Sequence, residues 1–398
     1  MPNPQKITIK QILLSKNNWW LFYNKYKENI RPAIVTCIVK LLSCKHKIRG
    51  YQEYHCSNPN CSHVKYVAYT CKCKACSSCG KKATELWIQK QNQVLPNTDW
   101  QHITLTMPCE LWDFFWYNRY LLNQISKIAA DCLQSLAKPK KIILGIFIAI
   151  HTFGRDLKRN VHLHISTTAG GLTEDQHWKK ISFHRTSLMR MWRYATIKLF
   201  RKCYQNKQLV IPPPLQKMFN PAYTFNTFLD TLYQKDWIID CQKPTNHYQK
   251  IIQYLGRYFK RPPIAESKLR HYDGQEVTLA YLDHVSNTYK KLRLPAEDFI
   301  RRFIQHIPDI GFRMVRYYGF LANRLRKKLL PIVYQILNQK CSTCSPPSWA
   351  ALIKKYFGFN PLTCILCGSP MTRYQSYYGA NINVILSYHR ELALHSKI

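Results

Sequence analysis

Acidic residues are scarce in this chain. Its 398 residues include 21 Asp and Glu against 59 Lys and Arg, which gives a formal net charge of +38. Because these carboxylates form no well-spaced trio, a metal site built on Asp and Glu is disfavoured. The positive charge is spread along the whole chain and would repel itself without a polyanion. Nucleic acid is the usual partner of such a chain.

Long apolar runs and nucleotide-binding loops are missing as well. No run reaches the ~18 to 20 residues needed to span a bilayer, and the longest, residues 142–150, has the length of a strand. The N-terminus lacks a signal-peptide core followed by small residues. No G-x-x-x-x-G-K-[ST] loop occurs, so the sequence indicates no ATPase or helicase motor. We therefore expect a cytoplasmic protein that has no membrane partner and uses no ATP.

Cysteine is abundant, with 16 residues, and in a reducing compartment these are expected to be thiols or metal ligands. Cys56 and Cys61 form a C-x4-C pair, and Cys76 and Cys79 form a C-x2-C pair. We predict a zinc-ribbon-like site from these four, because each turn offers two thiolates to a tetrahedral ion. Other residues that could replace one of them or complete a second site are Cys71, Cys44, Cys73 and His63.

A second set of cysteines lies near the end of the chain. Cys341 and Cys344 are followed by Cys364 and Cys367, in the pattern C-x2-C-x19-C-x2-C. This spacing is typical of a zinc ribbon. The sequence therefore predicts a C-terminal zinc site made from these four residues.

Two histidines flank a single apolar residue at His162 and His164. In a strand, residues two apart share a face, so both imidazoles could bind one metal ion from the same side. His151 ends an apolar run upstream, and a turn at residues 154–160 would return it to the pair. Three imidazoles would hold a divalent ion that keeps open positions. The alternative is a chance pair in a half-buried strand.

Two tyrosines four residues apart, Tyr254 and Tyr258, lie in a segment that is predicted to be helical. On a helix they share one face, so both phenols could reach the same point. The nearby positive charge favours phenolate and could hold phosphates of DNA, and it comes from Arg257, Lys260 and Arg261. The alternative is that both tyrosines are core or stacking residues.

Hydrophobic periodicity predicts an α+β chain. Helices are expected at residues 8–44 with a break at Pro32, at 183–236 with an interruption at 211–214, and at 111–136, 246–263, 296–306 and 317–339. Strands are expected at residues 100–107, on both sides of the turn at 154–160, at 236–242 and at 276–284.

Together these features resemble the HUH endonuclease superfamily, and within it the two-tyrosine transposases of rolling-circle insertion sequences grouped with insertion sequence ninety-one. The resemblance rests on five motifs in this order: Cys71-x4-Cys76-x2-Cys79; HTFGRDL followed by NVHLH and AGGL; YLGRYFKR; GFRMVRYYGFLANRLR; and NPLTCILCGSPM. Two departures stand out. Asn160 replaces the first histidine of a longer HPHVH-like run, and the spacing between Cys56 and Cys61 is looser than C-x2-C.

The resemblance implies a fold and a division of the chain. It implies a central HUH nuclease domain, residues 96–275, with an antiparallel sheet, flanking helices and the tyrosine helix. An N-terminal helical and zinc-binding domain would occupy residues 1–95. A C-terminal basic helical region with the second zinc ribbon would occupy residues 276–398.

The resemblance also implies a reaction. His151, His162 and His164 would hold Mg or Mn at a scissile phosphate. Tyr254 or Tyr258 would attack it, leaving a 5'-phosphotyrosine and a free 3'-OH. The partner would be single-stranded DNA at transposon ends, in hairpin-forming sequence, with the protein on the nucleoid when bound. Two alternatives remain open: a non-catalytic zinc-ribbon DNA-binding protein, and a replication initiator or relaxase with the same chemistry.

Overall fold

Helices and antiparallel strands alternate along the chain. The computed structural model describes residues 7–283, 286–340 and 347–395, with the backbone alone at residues 248, 254, 257–259 and 393–395. The helices are α1 Ile9–Leu14, α2 Asn18–Tyr26, α3 Pro32–Leu42, α4 Ser77–Val94, α5 Phe114–Tyr117, α6 Leu121–Ala137, α7 Arg185–Gln205, α8 Pro213–Gln216, α9 Phe225–Gln234, α10 Tyr248–Lys260, α11 Ala296–Ile304, α12 Asn323–Ile336, α13 Trp349–Phe357 and α14 Ile382–His395. The strands are β1 Gly50–Cys56, β2 Val64–Ala68, β3 Trp100–Leu105, β4 Ile142–Phe153, β5 Arg159–Thr173, β6 Trp178–Lys180, β7 Ile239–Cys241, β8 Leu269–Tyr272, β9 Glu276–Leu282, β10 Tyr289–Pro295, β11 Val315–Gly319 and β12 Met371–Tyr378.

The central sheet is built on a long hairpin of β4 and β5. Its strand order is β11-β4-β5-β3-β7, with β6 paired to β5, and the pairs are antiparallel. The apolar run of β4 is buried on both faces of the sheet, as expected of a central strand. In the hairpin register His151 lies opposite His162, and Ala149 lies opposite His164.

The two faces of this sheet are covered differently. On one face, Ile148 and Leu163 belong to a core shared with helices α6, α7 and α9. On the other, Phe147 and Ala149 pack with α4, α10 and α12, for example against Leu255. Because side chains alternate along a strand, the histidines of β4 and β5 lie on this second face, below α4 and α10.

Two smaller sheets complete the fold. One has the order β10-β9-β8 and packs with α1, α2, α3 and α11. The other has the order β12-β1-β2, so a strand from near the end of the chain pairs with one from near its beginning. In the ranges described here, no helix has both the length and the apolarity to cross a membrane.

Most predicted elements occur, with one clear error. Pro32 begins a new helix, α3, as predicted. The helix expected at residues 317–339 is wrong at its start, because Val315–Gly319 is a strand that pairs with β4 and the helix begins only at Asn323. A short run of β-branched and aromatic residues favours a strand once a partner edge is present. Residues after 275 thus join both the central sheet and the sheet of β1, so the domain division above stays a prediction.

Candidate active site and cysteine clusters

Three histidines meet on the α10 side of the central sheet. The ring centroids of His151 and His162 are 5.1 Å apart, those of His151 and His164 are 4.6 Å apart, and those of His162 and His164 are 5.0 Å apart. One nitrogen from each ring lies within 4.8 Å of the others. The structure therefore brings together the three residues that the sequence singled out.

Burial keeps these imidazoles neutral. His151 is 1% exposed and His164 is 7% exposed, and burial lowers the pKa of both well below the usual value. Burial also lowers the pKa of His162, to about 4. A neutral imidazole has a lone pair available for a metal, whereas an imidazolium has none. The donor set thus fits a divalent cation at neutral pH.

Neighbouring polar groups orient two of the rings. The Nδ1 of His162 donates to the carbonyl oxygen of Asn160 over 2.9 Å, which leaves Nε2 as the metal-binding nitrogen. The Nδ1 of His164 lies 3.3 Å from the Nε2 of His102, and the two rings stack at 5.4 Å. Such contacts fix the tautomer and direction of a ligand. The side-chain Oδ1 of Asn160, the departure from the family's motif, also lies 3.1 Å from the Nδ1 of His162 and so helps to position that ring.

Sequence reasoning missed His102. It lies on β3, two residues before Thr104, which is opposite His164 in the sheet. His102 is 5% exposed, and burial lowers its pKa to about 4. The sequence does predict a strand at residues 100–107, which contains His102. Only the pairing of β3 with β5, however, places its ring beside that of His164.

The predicted tyrosine helix exists as α10 and covers the histidine face. Ile252 and Leu255 are 1% and 0% exposed and pack with Trp87 and Phe147. The Thr84 hydroxyl of α4 donates to the carbonyl oxygen of Gly256 over 3.2 Å. The backbone of α10 carries both tyrosines at helical spacing. The side chains of three predicted site residues lie outside the described part: Tyr254, Tyr258 and Arg257.

Four cysteines form a first cluster, from the turn after α3, the loop before α4 and the start of α4. The Sγ of Cys44 lies 3.7 Å from those of Cys79 and Cys76, and the Sγ atoms of Cys71 and Cys79 are 3.5 Å apart. Zinc–thiolate bonds of about 2.3 Å in a tetrahedron give sulfur–sulfur distances of about 3.8 Å. The four sulfurs therefore fit a zinc ion without rearrangement.

A second cluster joins the two ends of the chain. The Sγ atoms of Cys56 and Cys367 are 3.4 Å apart, and those of Cys61 and Cys364 are 3.8 Å apart. All four sulfurs lie within 4.8 Å of one another. The Nδ1 of His63 lies 3.0 Å from the Sγ of Cys364, as expected of a group that stabilises a thiolate ligand from outside the tetrahedron.

These groupings correct the partition that the sequence predicted. Cys56 and Cys61 do not share a site with Cys76 and Cys79. The turn after β1 instead faces the loop before β12, a zinc knuckle that contains Cys364 and Cys367. Cys44 takes a place in the first cluster instead. In the second cluster Cys364 and Cys367 take the places given to Cys76 and Cys79. Two residues of the predicted C-terminal ribbon lie outside the described residues: Cys341 and Cys344.

Two known families match the parts of the chain that contain the cysteine clusters and the histidine site. The family described as "Transposase zinc-binding domain" matches residues 15–107, which contain six of the eight clustered cysteines. This match supports zinc as the ion of the cysteine clusters. The family described as "Putative transposase" matches residues 145–328, which contain the three histidines and α10. No solved structure matches the chain.

Individual relatives extend the similarity over most of the chain. The transposase for insertion sequence element IS801 of Pseudomonas savastanoi pv. phaseolicola is 40% identical over 361 residues, which cover 90% of this chain and 87% of that protein. A protein of Sinorhizobium fredii named "Putative transposase y4qJ" is 26% identical over 280 residues, 68% of this chain and 70% of that protein. The chain therefore belongs to the insertion-sequence transposases of the insertion-sequence-ninety-one type, which are DNA-processing enzymes.

Proposed function

We propose that this transposase nicks and rejoins single-stranded DNA at the ends of its element through a 5'-phosphotyrosine intermediate. The observation that carries the proposal is the convergence of three neutral imidazoles on the sheet face that α10 covers. A phosphodiester entering between this face and α10 would meet both a metal site and a tyrosine. The reaction takes place in the cytoplasm, on hairpin-forming DNA of the nucleoid.

The nucleophile is Tyr254 or Tyr258. Its phenolate oxygen forms a bond to phosphorus while the bond from phosphorus to the 3' oxygen breaks, and the leaving 3' oxygen takes up a proton. The phosphotyrosine ester conserves the energy of the broken bond, so no ATP is needed. The second tyrosine makes a second link of the same kind, and a free 3'-OH then attacks a phosphotyrosine to rejoin the strand. This sequence supports rolling-circle, peel-and-paste transposition.

The histidines prepare the site for this attack. Mg or Mn held by His151, His162 and His164 would supply a Lewis acid that withdraws charge from the scissile phosphate. Asn160 and His102 hold two of the rings in place. Because the three imidazole ligands are neutral, they would leave the ion its full charge. Imidazole nitrogens bind the hard Mg ion weakly, so a bound ion would exchange. Lys260 and Arg261, beside the tyrosines, hold neighbouring phosphates together with Arg257.

The proposal is tested by incubating the purified chain and Mn with single-stranded oligonucleotides that carry the element's ends. We expect a covalent protein–DNA adduct that survives denaturation. The double variant Tyr254→Phe and Tyr258→Phe should form none. The control Tyr194→Phe, a 55% exposed tyrosine on α7 at the opposite face of the sheet, should react like wild type.

A second pair of variants tests the metal site. His162→Ala should abolish cleavage and leave salt-dependent DNA binding intact, since affinity comes mainly from contacts between basic side chains and phosphates. The matched control is His177→Ala, whose exposed imidazole lies beyond the end of β5. The enzymatic proposal fails if wild type forms no adduct on cognate ends. The nucleophile assignment fails if the double tyrosine variant still forms one.

A further inference from the structure

A groove of about 680 Å³ opens beside the histidine site. Its walls come from the loop before α4, the middle and C-terminal part of α4, the C-terminal end of α10, β11 with the segment that leads into it, and the start of α12. Its lining thus draws on both regions that match transposase families. The proposed mechanism assigns only Lys260 of this groove.

The charge in the groove has one sign. Seven of its lining residues are Lys or Arg, and no acidic residue lines it. Within the ranges that the structure describes, none of the seven takes part in an ion pair. So many unpaired cations in one concave surface repel each other, and an anion that bridges them relieves that repulsion. The seven are Lys72, Lys74, Lys90, Lys260, Arg313, Arg316 and Arg326.

Aromatic side chains lie among these cations. Phe312 and Tyr317, both partly exposed, line the groove, and the Arg316 guanidinium lies 5.6 Å from the centroid of the Phe312 ring. Aromatic faces stack on the bases of unpaired nucleotides, whereas duplex DNA has no free base faces to offer. The combination of cations and rings therefore favours a single strand.

The groove runs into the metal site. Met314, which lines it, accepts a hydrogen bond of 3.0 Å from the backbone of Ile150, the residue before His151. Val315, which also lines the groove, pairs with Ala149 of β4, two residues before His151. A strand in the groove would thus have one end at the histidines.

We propose that this groove binds the single-stranded DNA that flanks the scissile phosphate and guides it to the histidines. This inference rests on the proposed function for the identity of the strand, but it can be tested without cleavage. Lys74, which lies between Cys71 and Cys76 of the first cysteine cluster in the sequence, lines this groove. The zinc-binding region therefore contributes directly to the substrate path.

The test compares two triple variants in EDTA, so that no cleavage occurs. One is Lys90→Gln, Arg313→Gln and Arg326→Gln, in the groove; the other is Arg190→Gln, Lys198→Gln and Lys202→Gln, exposed on α7 at the opposite face of the sheet. Both remove three positive charges. Affinity for a fluorescein-labelled thymidine oligonucleotide is measured by anisotropy over a range of salt concentrations.

Each lost phosphate contact lowers the slope of log affinity against log salt by about 0.7 for single strands. We expect the groove variant to lose about 2 from this slope and the α7 variant to keep the wild-type slope. Equal slopes for the two variants would overturn the groove proposal. Tighter binding of a matched RNA or duplex through the same residues would also overturn it. Failure of adduct formation with normal groove binding would instead overturn only the proposed function.

Discussion

The pairing of cysteines from opposite ends of the chain makes a sharp prediction. Replacing Cys364 and Cys367 with serine should remove one of the two zinc ions that we expect the two described cysteine clusters to hold. The remaining ion stays in the cluster of Cys44 and its partners, which contains no residue after 79.

The size of the effect follows from the length of the loop that the second cluster closes. Cys61 and Cys364 are 303 residues apart in the sequence. If the zinc bridge is treated as a crosslink that closes this loop, the unfolded chain loses entropy, and this raises the free energy of unfolding by about 6 kcal/mol. Removing the bridge should therefore lower the melting temperature, and the pairing of β12 with β1 should become the least stable part of the fold.

The assay is zinc content by mass spectrometry together with thermal unfolding. The matched control is Cys341→Ser plus Cys344→Ser, which also removes two cysteines in C-x2-C spacing. We expect two zinc ions and a normal melting temperature for this control. Loss of zinc from the control would refute the pairing described here, because it would assign Cys364 and Cys367 to the C-terminal ribbon that sequence spacing predicts.

Two further predictions concern the helix contact and acid stability. Gly80→Ala places a Cβ 2.8 Å from the carbonyl oxygen of Lys260, so the end of α10 must shift by several tenths of an ångström. Cleavage in single-turnover assays should slow about 10- to 100-fold, with normal zinc content. The exposed control Ser78→Ala should cleave at the wild-type rate. A wild-type rate for Gly80→Ala would contradict the role of this contact. Burial lowers the pKa of His306 to about 3 and that of His102 to about 4, so below pH 6.5 the unfolded chain binds more protons than the folded one. The free energy of unfolding in urea should therefore fall steadily from pH 6.5 to pH 4.5. Each such histidine contributes up to about 1.4 kcal/mol per pH unit. A constant free energy of unfolding over this range would show that these rings are not held neutral.

The sequence predicted the core of the candidate site because that core depends on local patterns. His162 and His164 are two apart in a strand, and the short turn between Phe153 and Arg159 brings β4 and β5 together as a hairpin. That pairing places His151 opposite His162 without any long-range information. The helical spacing of Tyr254 and Tyr258 is local in the same sense.

What the sequence did not predict depends on pairing between distant segments. Spacing identifies Cys364 and Cys367 as a knuckle but carries no information on its partner, which is set by the pairing of β1 with β12. His102 is an ordinary strand residue until β3 is placed beside β5. The strand at Val315–Gly319 has the same origin, since it needs the edge of β4 to form.

The most direct test of the central claim is to locate the DNA on the protein. Trypsin cuts after Lys250, Arg257 and Lys260, so Tyr254 and Tyr258 fall in separate peptides, residues 251–257 and 258–260. Mass spectrometry of the adduct formed with Mn should find the 5' phosphate of the cleaved strand on one of these two peptides. A nucleotide on any other peptide, or cleavage that leaves a free 5' phosphate and no adduct, would contradict the account.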